Sequence, residues 1–253
     1  MIEAVGIDKL FGTHQVLRNA SMRCERGKTN LVIGKSGSGK TVLLKIIAGL
    51  LEPDGGQIRF EGQDLRTLSP GARRALQRQI GMIFQGGALF DSMRVEENVT
   101  FPIRMHTHVS IREARRMAQE SLERVDLPNV GRLYPSDLSG GMRKRVAIAR
   151  AIAMRPMYLL CDEPNSGLDP QTSLVIDSLI HEITQEYNIT TIVNTHDMNS
   201  VMAIGDTVTF IHEGSVAWSG TKDDILHTQN ELLNSFVFAT PMAQLLRQQT
   251  GKR

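Results

Sequence analysis

The chain has 253 residues, of which 41% are hydrophobic and 22% charged, enough for one large domain or two small ones with an ordinary buried core. Its 29 basic and 27 acidic residues leave a formal net charge of +2, which argues against non-specific binding to nucleic acid. The two cysteines, Cys24 and Cys161, lie far apart in sequence, and we expect buried reduced thiols rather than a disulfide or a metal pair.

Membrane insertion is not expected of this chain. The first eight residues include acidic side chains and no apolar core, so they do not resemble a secretory signal. The longest apolar stretch, residues 42–51, is too short to span a bilayer, which needs about 20 residues. We therefore expect a cytoplasmic protein that reaches a membrane only through a partner.

Strands and helices alternate along most of the sequence. Strands are predicted over residues 2–7, 16–22 and 30–33, and a helix over 41–49 precedes a further strand over 57–61. Residues 88–154 have a helical, arginine-rich pattern that Pro156 ends. The remaining predictions are a strand over 157–161, a helix over 170–187, a strand over 189–194, a hairpin over 207–218 and a helical tail. This order predicts an α/β fold with a largely parallel central sheet and an inserted helical part.

A glycine-rich loop between the third strand and the following helix fits the phosphate-loop pattern at every fixed position. Backbone N–H groups of such a loop cradle phosphate oxygens, and the helix adds its positive N-terminal end. Lys40 would reach the β- and γ-phosphates of a nucleotide, and the Thr41 hydroxyl would bind Mg²⁺. The loop consists of Gly34, Lys35, Ser36, Gly37, Ser38, Gly39, Lys40 and Thr41.

Two carboxylates follow the apolar strand over residues 157–161. Asp162 would hold Mg²⁺ directly or through water, and Glu163 would act as the general base toward an attacking water. Acids at a strand end often only cap a helix, so this pair gains its meaning from the phosphate loop.

A second anion-binding helix start is predicted where Ser139, Gly140 and Gly141 open a helix. Together with Leu138 and Met142 it resembles the signature of the ABC ATPase family, in which glutamine is most common at the position of Met142. The resemblance covers nearly the whole chain. It implies a P-loop NTPase of the ABC ATPase type, with an antiparallel N-terminal β part. It also implies an ATPase domain over residues 1–222, with a catalytic core of 1–85 and 156–222, a helical subdomain of 86–155 and a tail of 223–253.

Four further residues match positions of this family, each with a structural alternative. Phe11 matches the aromatic residue that stacks on adenine, although it would also suit a core position. Gln85 matches the glutamine that senses Mg²⁺ and the attacking water, or is a surface residue. Asp169 matches the loop that crosses to the other subunit and can also cap a helix. His196 matches the histidine that contacts the γ-phosphate, whereas a lone histidine is more often structural.

The resemblance also implies a mechanism. Two copies would close head to tail around two ATP molecules, with the phosphate loop, carboxylates and His196 from one copy and Ser139 to Gly141 from the other. A monomer would hydrolyse ATP poorly because positioning and charge stabilisation are incomplete. Closure of the homodimer would move integral membrane permease subunits that dock near Gln85 and residues 86–99.

Residues 86–93, 97–102 and 139–145 are similar to ATPases of the Mla group. That group serves phospholipid transporters with an MCE-domain lipid-binding partner at the cytoplasmic face of the inner membrane in two-membrane bacteria. Asn165 stands where this group usually has threonine. The principal alternative is the ATPase of a small-solute ABC importer, which shares every catalytic residue.

Other classes fit the sequence less well. A soluble ABC protein of DNA repair would need a long coiled coil, and one of the ribosome usually has a second cassette; the sequence shows neither. A binding module that keeps the fold without catalysis would not need all four of Lys40, Asp162, Glu163 and His196.

The tail contains Phe236 and Phe238, then Leu245, Leu246, Arg247, Lys252 and Arg253. It packs either on another subunit or on its own domain, and deletion after Phe238 distinguishes the two.

Overall fold

The computed structural model describes residues 1–239. The ten strands in this part of the chain are β1 (Ile2–Phe11), β2 (His14–Cys24), β3 (Thr29–Ile33), β4 (Gly55–Phe60), β5 (Gln63–Asp64), β6 (Ile80–Ile83), β7 (Tyr158–Asp162), β8 (Thr190–Thr195), β9 (Thr207–His212) and β10 (Ser215–Gly220). Its nine α-helices are α1 (Lys40–Ile47), α2 (Pro70–Gln77), α3 (Val95–His106), α4 (Ile111–Arg124), α5 (Gly140–Ile152), α6 (Pro170–Glu186), α7 (Met198–Ile204), α8 (Lys222–His227) and α9 (Glu231–Val237). Within residues 1–239, no helix has both the length and the apolar character needed to cross a bilayer.

The larger sheet has six strands in the order β10-β9-β3-β8-β7-β6. All neighbours from β9 to β6 pair in parallel, and β10 pairs with β9 in antiparallel fashion. Every residue of β3, β7 and β8 is buried, as expected for parallel strands covered on both faces. A second, antiparallel sheet has the order β2-β1-β4-β5. The predicted mixed α/β fold with an antiparallel N-terminal part is confirmed.

Helices α3, α4 and α5 lie between β6 and β7 in the chain. Their buried side chains, among them Val99, Leu122 and Ile148, belong to the same hydrophobic cluster as Leu159 of β7 and Ile176 of α6. The inserted helices are therefore packed onto one face of the sheet. The expectation of helix from residue 88 onward is wrong in detail, because residues 88–94 form a loop and a 3₁₀ turn at Pro135–Asp137 interrupts the connection to α5.

Four elements were absent from the sequence prediction: α2, β5, β6 and α7. Strand β5 has only two residues. Helix α2 has no buried residue, so it lacks the apolar stripe that indicates a helix. Strand β6 has four residues and α7 has seven, which gives too few periods to establish a pattern.

Both cysteines are free and fully buried, as predicted. Burial raises the pKa of the Cys24 thiol to about 12. The pKa of Cys161, which precedes Asp162 in β7, is also raised, first by burial and then by the carboxylates of Asp177 and Asp162. Neither thiol is ionised at neutral pH.

The first part of the tail packs on its own domain. Leu233 of α9 is buried, and the Phe236 ring lies 5.3 Å, between centroids, from the Phe210 ring of β9. This agrees with the second of the two alternatives for the tail, as far as residue 239. Leu245, Leu246, Arg247, Lys252 and Arg253 lie outside the described residues.

Candidate active site

The phosphate loop connects β3 to α1 along a path that requires glycine at two close approaches. Gly34 has φ +152°, and a Cβ atom there would lie 2.3 Å from the carbonyl oxygen of Ile211 in β9. Gly39 has φ +105°, and its Cβ would lie 2.8 Å from Cδ2 of Leu17 in β2. Both sheets therefore hold the loop closely, while Lys35, Ser36 and Gly37 form its exposed tip.

Lys40 is buried at the start of α1, inside the curve of this loop. Its ammonium donates hydrogen bonds to the carbonyl oxygens of Gly34 (2.8 Å) and Lys35 (3.1 Å) and lies 3.8 Å from a carboxylate oxygen of Glu163. Burial lowers the pKa of Lys40, while Glu163 and Asp162 raise it in part. The cation is thus fixed where the loop can surround an anion.

Asp162 is buried at the end of β7 and is held by two neighbouring elements. Its Oδ1 atom accepts a hydrogen bond from the Thr41 hydroxyl at 2.9 Å and another from the Asn194 side-chain amide at 3.0 Å. Asp162 and Asn194 are directly paired in the parallel register of β7 and β8. The carboxylate therefore has a fixed direction beside the first turn of α1.

Glu163 follows Asp162 with an unusual backbone conformation, φ +50°, which is costly for a residue other than glycine and is typical of functional sites. Its N–H donates to the Asn194 carbonyl oxygen at 3.0 Å, so the residue stays attached to β8. Nδ1 of His196 lies 2.7 Å from a Glu163 carboxylate oxygen. His196 is 64% exposed, so the pair can reach a group that arrives from outside the domain.

A cavity of about 900 Å³ opens beside this pair. Gln85, Ser166 and His196 line it together with Glu163. Gln85 follows β6 and its backbone carbonyl oxygen accepts hydrogen bonds from Ser166 and Lys144. The structure thus brings Gln85 to the same space as the two residues predicted to act on water and the γ-phosphate.

Phe11 lies at the end of β1 and is 49% exposed, so the core alternative for this residue is wrong. The Lys9 ammonium lies 5.6 Å from the centroid of its ring. An exposed aromatic face beside a cation is available to a planar base.

The predicted signature segment is built as a helix start. The Ser139 hydroxyl accepts a hydrogen bond from the Met142 N–H at 3.2 Å, and Gly140 and Gly141 form the first turn of α5. Asp169 caps α6 in the same way, accepting from the N–H groups of Gln171 and Thr172. Within residues 1–239, no hydrogen bond or ion pair joins residues 139–141 to the phosphate loop.

Thr41 and Asp162 fit a magnesium ion. Mg²⁺ prefers oxygen ligands and is commonly held by one or two protein oxygens together with substrate phosphates. The Thr41 hydroxyl and the Asp162 carboxylate are in contact at the base of the phosphate loop. The buried Ser38 hydroxyl has no hydrogen-bond partner among the described residues, which leaves a further polar group in the loop for a phosphate.

Two residues with evident roles here were not recognised in the sequence. Asn194 donates a hydrogen bond to Asp162. The only sequence signal for this role is that Asn194 lies two residues before His196 in a buried strand. Lys144 contacts the segment of Gln85, but it stands between two arginines, in a run that is typical of a solvated helix face.

The sequence and the structure both match ABC proteins. The profile of the ABC transporter family matches residues 17–166. The solved dimeric structure of a bacterial ABC transporter cassette aligns with a TM-score of 0.80 and 30% identity, covering 88% of this chain and 99% of that one. A dimeric cassette in a post-hydrolysis state, bound to ADP and phosphate, aligns with a TM-score of 0.79 and 30% identity over the same shares.

Similar curated proteins have several transport functions. The intermembrane phospholipid transport system ATP-binding protein MlaF of Haemophilus influenzae is 40% identical over 230 residues, 91% of this chain and 87% of that protein. The methionine import ATP-binding protein MetN of Thermobifida fusca is 41% identical over 245 residues, 95% of this chain and 76% of that protein. A probable ribonucleotide transport ATP-binding protein of Mycobacterium leprae is 33% identical over 236 residues, 93% of this chain and 68% of that protein.

A phosphate loop and paired carboxylates, both at the ends of parallel strands in an α/β fold, define a nucleoside triphosphatase. The chain belongs to the ABC transporter family. It is an ATP-binding subunit of an ABC transporter and hydrolyses ATP, as this family does. The predicted resemblance to ABC ATPases of the Mla type is confirmed.

Proposed function

We propose that this chain hydrolyses Mg-ATP in a homodimer and drives a transporter that moves phospholipid between two membranes. The observation that carries the chemical part is the convergence of Thr41, Asp162, Glu163 and His196 beside the buried ammonium of Lys40. The phospholipid part is supported by the similarity to MlaF over nearly the whole of both chains.

In this proposal Lys40 and the loop N–H groups bind the β- and γ-phosphates. Glu163 takes a proton from the attacking water, and His196 orients Glu163 and contacts the γ-phosphate. Gln85, which lines the same cavity, positions the water. Thr41, Asp162 and Gln85 would hold Mg²⁺, which neutralises phosphate charge. Phe11 would stack on the adenine.

A second copy completes the site. Ser139, Gly140 and Gly141 form a helix start that, within residues 1–239, has no hydrogen bond or ion pair to the phosphate loop of the same chain. We infer that this helix start meets the γ-phosphate bound to the other copy, with Asp169 in the loop that crosses between them. The dimeric state of both solved cassettes supports this arrangement.

A permease subunit would dock in a groove that is lined by Phe84, the residue before Gln85. This groove has a volume of about 400 Å³ and is lined mainly by apolar side chains, including Phe84, Phe90 and Phe101. Arg150 of α5 donates hydrogen bonds to the carbonyl oxygens of Gly87 (2.7 Å) and Ala88 (2.6 Å) at its edge. The groove contains part of the loop of residues 86–99 that we expect to contact the permease.

The cellular setting follows from the phospholipid assignment. The chain would lie at the cytoplasmic face of an inner membrane, attached through its permease, with an MCE-domain lipid-binding protein as a further partner. A second candidate is the ATPase of a small-solute importer, which the 41% identity to MetN favours.

Purification of the tagged chain from membranes in mild detergent tests these candidates. Recovery of a permease, an MCE-domain protein and bound phospholipid supports the phospholipid proposal. Recovery of a different permease with a solute-binding protein refutes it and supports the importer. Because both candidates hydrolyse ATP, turnover alone does not distinguish them.

A further inference from the structure

Lys144 is a buried cation whose role none of the family motifs describes. It lies in the second turn of α5, five residues after the Ser139 cap, and is 7% exposed. Its neighbour Arg143 is exposed. Burying an ammonium is costly unless hydrogen bonds replace its water. The partners of Lys144 therefore indicate what this burial achieves.

Those partners come from two separate loops of the active site. The Lys144 ammonium donates to the backbone carbonyl oxygen of Gln85 and to the Ser166 hydroxyl, the latter at 3.3 Å. The Ser166 hydroxyl in turn donates to the same Gln85 carbonyl at 3.2 Å. One side chain thus links the helix that begins at the signature segment, the Gln85 segment and the loop that follows Glu163.

Neither of these partners is charged. Burial lowers the pKa of Lys144, and the carboxylate of Glu163 is the group that raises it. Ser166 is also tied directly to Glu163, because its N–H donates to the Glu163 carbonyl oxygen at 3.1 Å. A displacement of Lys144 is therefore transmitted through one hydrogen-bonded turn to the proposed general base.

We propose that Lys144 is a positioning residue that holds the Gln85 segment and the Ser166 loop to α5, so that these three parts of the ATPase site move as one unit. This deepens the proposed function and rests on it for the roles of Gln85 and Glu163. Arg150, further along α5, extends the attachment to Gly87 and Ala88 at the permease groove. Motion at the groove would then reach Glu163 through α5 and Lys144.

The proposal predicts that ATP binding and ATP hydrolysis separate when Lys144 is replaced. Lys144 has no hydrogen bond to the phosphate loop within the described residues, so its loss should leave nucleotide affinity nearly unchanged. Hydrolysis needs Gln85 and Glu163 held in position around water, and misplacement of such groups slows the chemical step strongly.

The test uses the full chain, alone or with its transporter, and the variants Lys144→Met and Lys144→Arg. Methionine matches the length of lysine without its charge, and arginine keeps the charge and donors. We expect Lys144→Met to lower kcat about tenfold with the ATP Kd within about twofold, and Lys144→Arg to recover most of the loss. The control Lys45→Met removes an exposed lysine of α1 and should leave both values unchanged. Unchanged kcat in Lys144→Met, or equal losses of kcat and affinity, would overturn the proposal.

Hydrogen exchange without nucleotide tests the same link independently of ATP turnover. In Lys144→Met, backbone exchange should accelerate both in residues 84–88 and in residues 163–168. In the control Lys45→Met, exchange should accelerate in neither segment. If Lys144→Met does not fold, Ser166→Ala removes the other end of the link and should accelerate exchange in residues 84–88. Acceleration confined to one segment in Lys144→Met, or none in residues 84–88 of either variant, would refute the link. If the wild-type chain has no ATP turnover and Lys144→Met nevertheless shows this exchange pattern, the proposed function alone is refuted.

Discussion

Replacing Asn194 with aspartate would place a second carboxylate against Asp162. The Asn194 amide nitrogen lies 3.0 Å from the Asp162 Oδ1 atom in a buried site. Two carboxylates at that distance repel by about 5 kcal/mol at an effective dielectric constant of about 20. Protonating one of them, from an ordinary pKa near 3.9, costs about 4 kcal/mol at pH 7 and about 1.5 kcal/mol at pH 5.

Protonation is the cheaper route and therefore limits the loss of stability. The pKa of the carboxylate pair is raised above its value in the unfolded chain, so the destabilisation is present at neutral pH and fades as the pH falls toward 4. We expect the free energy of unfolding of Asn194→Asp to be lower than that of wild type by about 4 kcal/mol at pH 7 and about 1.5 kcal/mol at pH 5. The Lys40 ammonium reduces this difference without changing its sign.

Urea unfolding of both proteins at pH 5, 6 and 7 measures the difference directly. Asn199→Asp is the matched control, because it adds the same group at an exposed position in the first turn of α7. That variant should change stability by less than about 0.5 kcal/mol at every pH. An Asn194→Asp difference that does not vary with pH would refute the assignment of the Asn194–Asp162 contact.

Three further substitutions test the proposed site. Lys40→Ala should abolish productive ATP binding because the buried cation of the loop is lost, and normal turnover would contradict the phosphate-loop assignment. Glu163→Gln should retain ATP binding, lower turnover at least 100-fold and accumulate an ATP-bound dimer in size-exclusion chromatography; turnover at the wild-type rate would mean that another residue is the base. Gly39→Ala should weaken ATP binding and lower the melting temperature, because its Cβ would press on Leu17 at 2.8 Å in a left-handed backbone. Gly37→Ala, at a position with open space and a similarly positive φ, separates the steric effect from the backbone strain.

Local patterns predicted those parts of the site that are contiguous in sequence. The phosphate loop lies between a short buried strand and a helix, and both were expected because their residues are neighbours in the chain. The Asp162–Asn194 contact depends on the register of β7 against β8, which residues 32 positions apart do not reveal. Similarly, nothing local distinguishes Lys144 from the arginines beside it, because its burial depends on where the Gln85 and Ser166 loops pack.

Elements with weak local patterns could not be predicted from the sequence. Helix α2 begins with a Ser69 cap and Pro70, which are good start signals, but it has no buried side chain to create a period. Amphipathic elements and continuous motifs are therefore visible in the sequence, whereas contacts between distant segments and helices without a buried face are not.

The burial of both cysteines has a practical consequence for measuring motion in this ATPase. Cys24 and Cys161 are the only two thiols of the chain, and both are inaccessible and held in the unreactive protonated form. A single cysteine introduced on the surface would therefore be the sole target of a maleimide dye or spin label under native conditions. Pairs of labels, one on each copy, would then report the opening and closing of the proposed dimer without removal of either native cysteine.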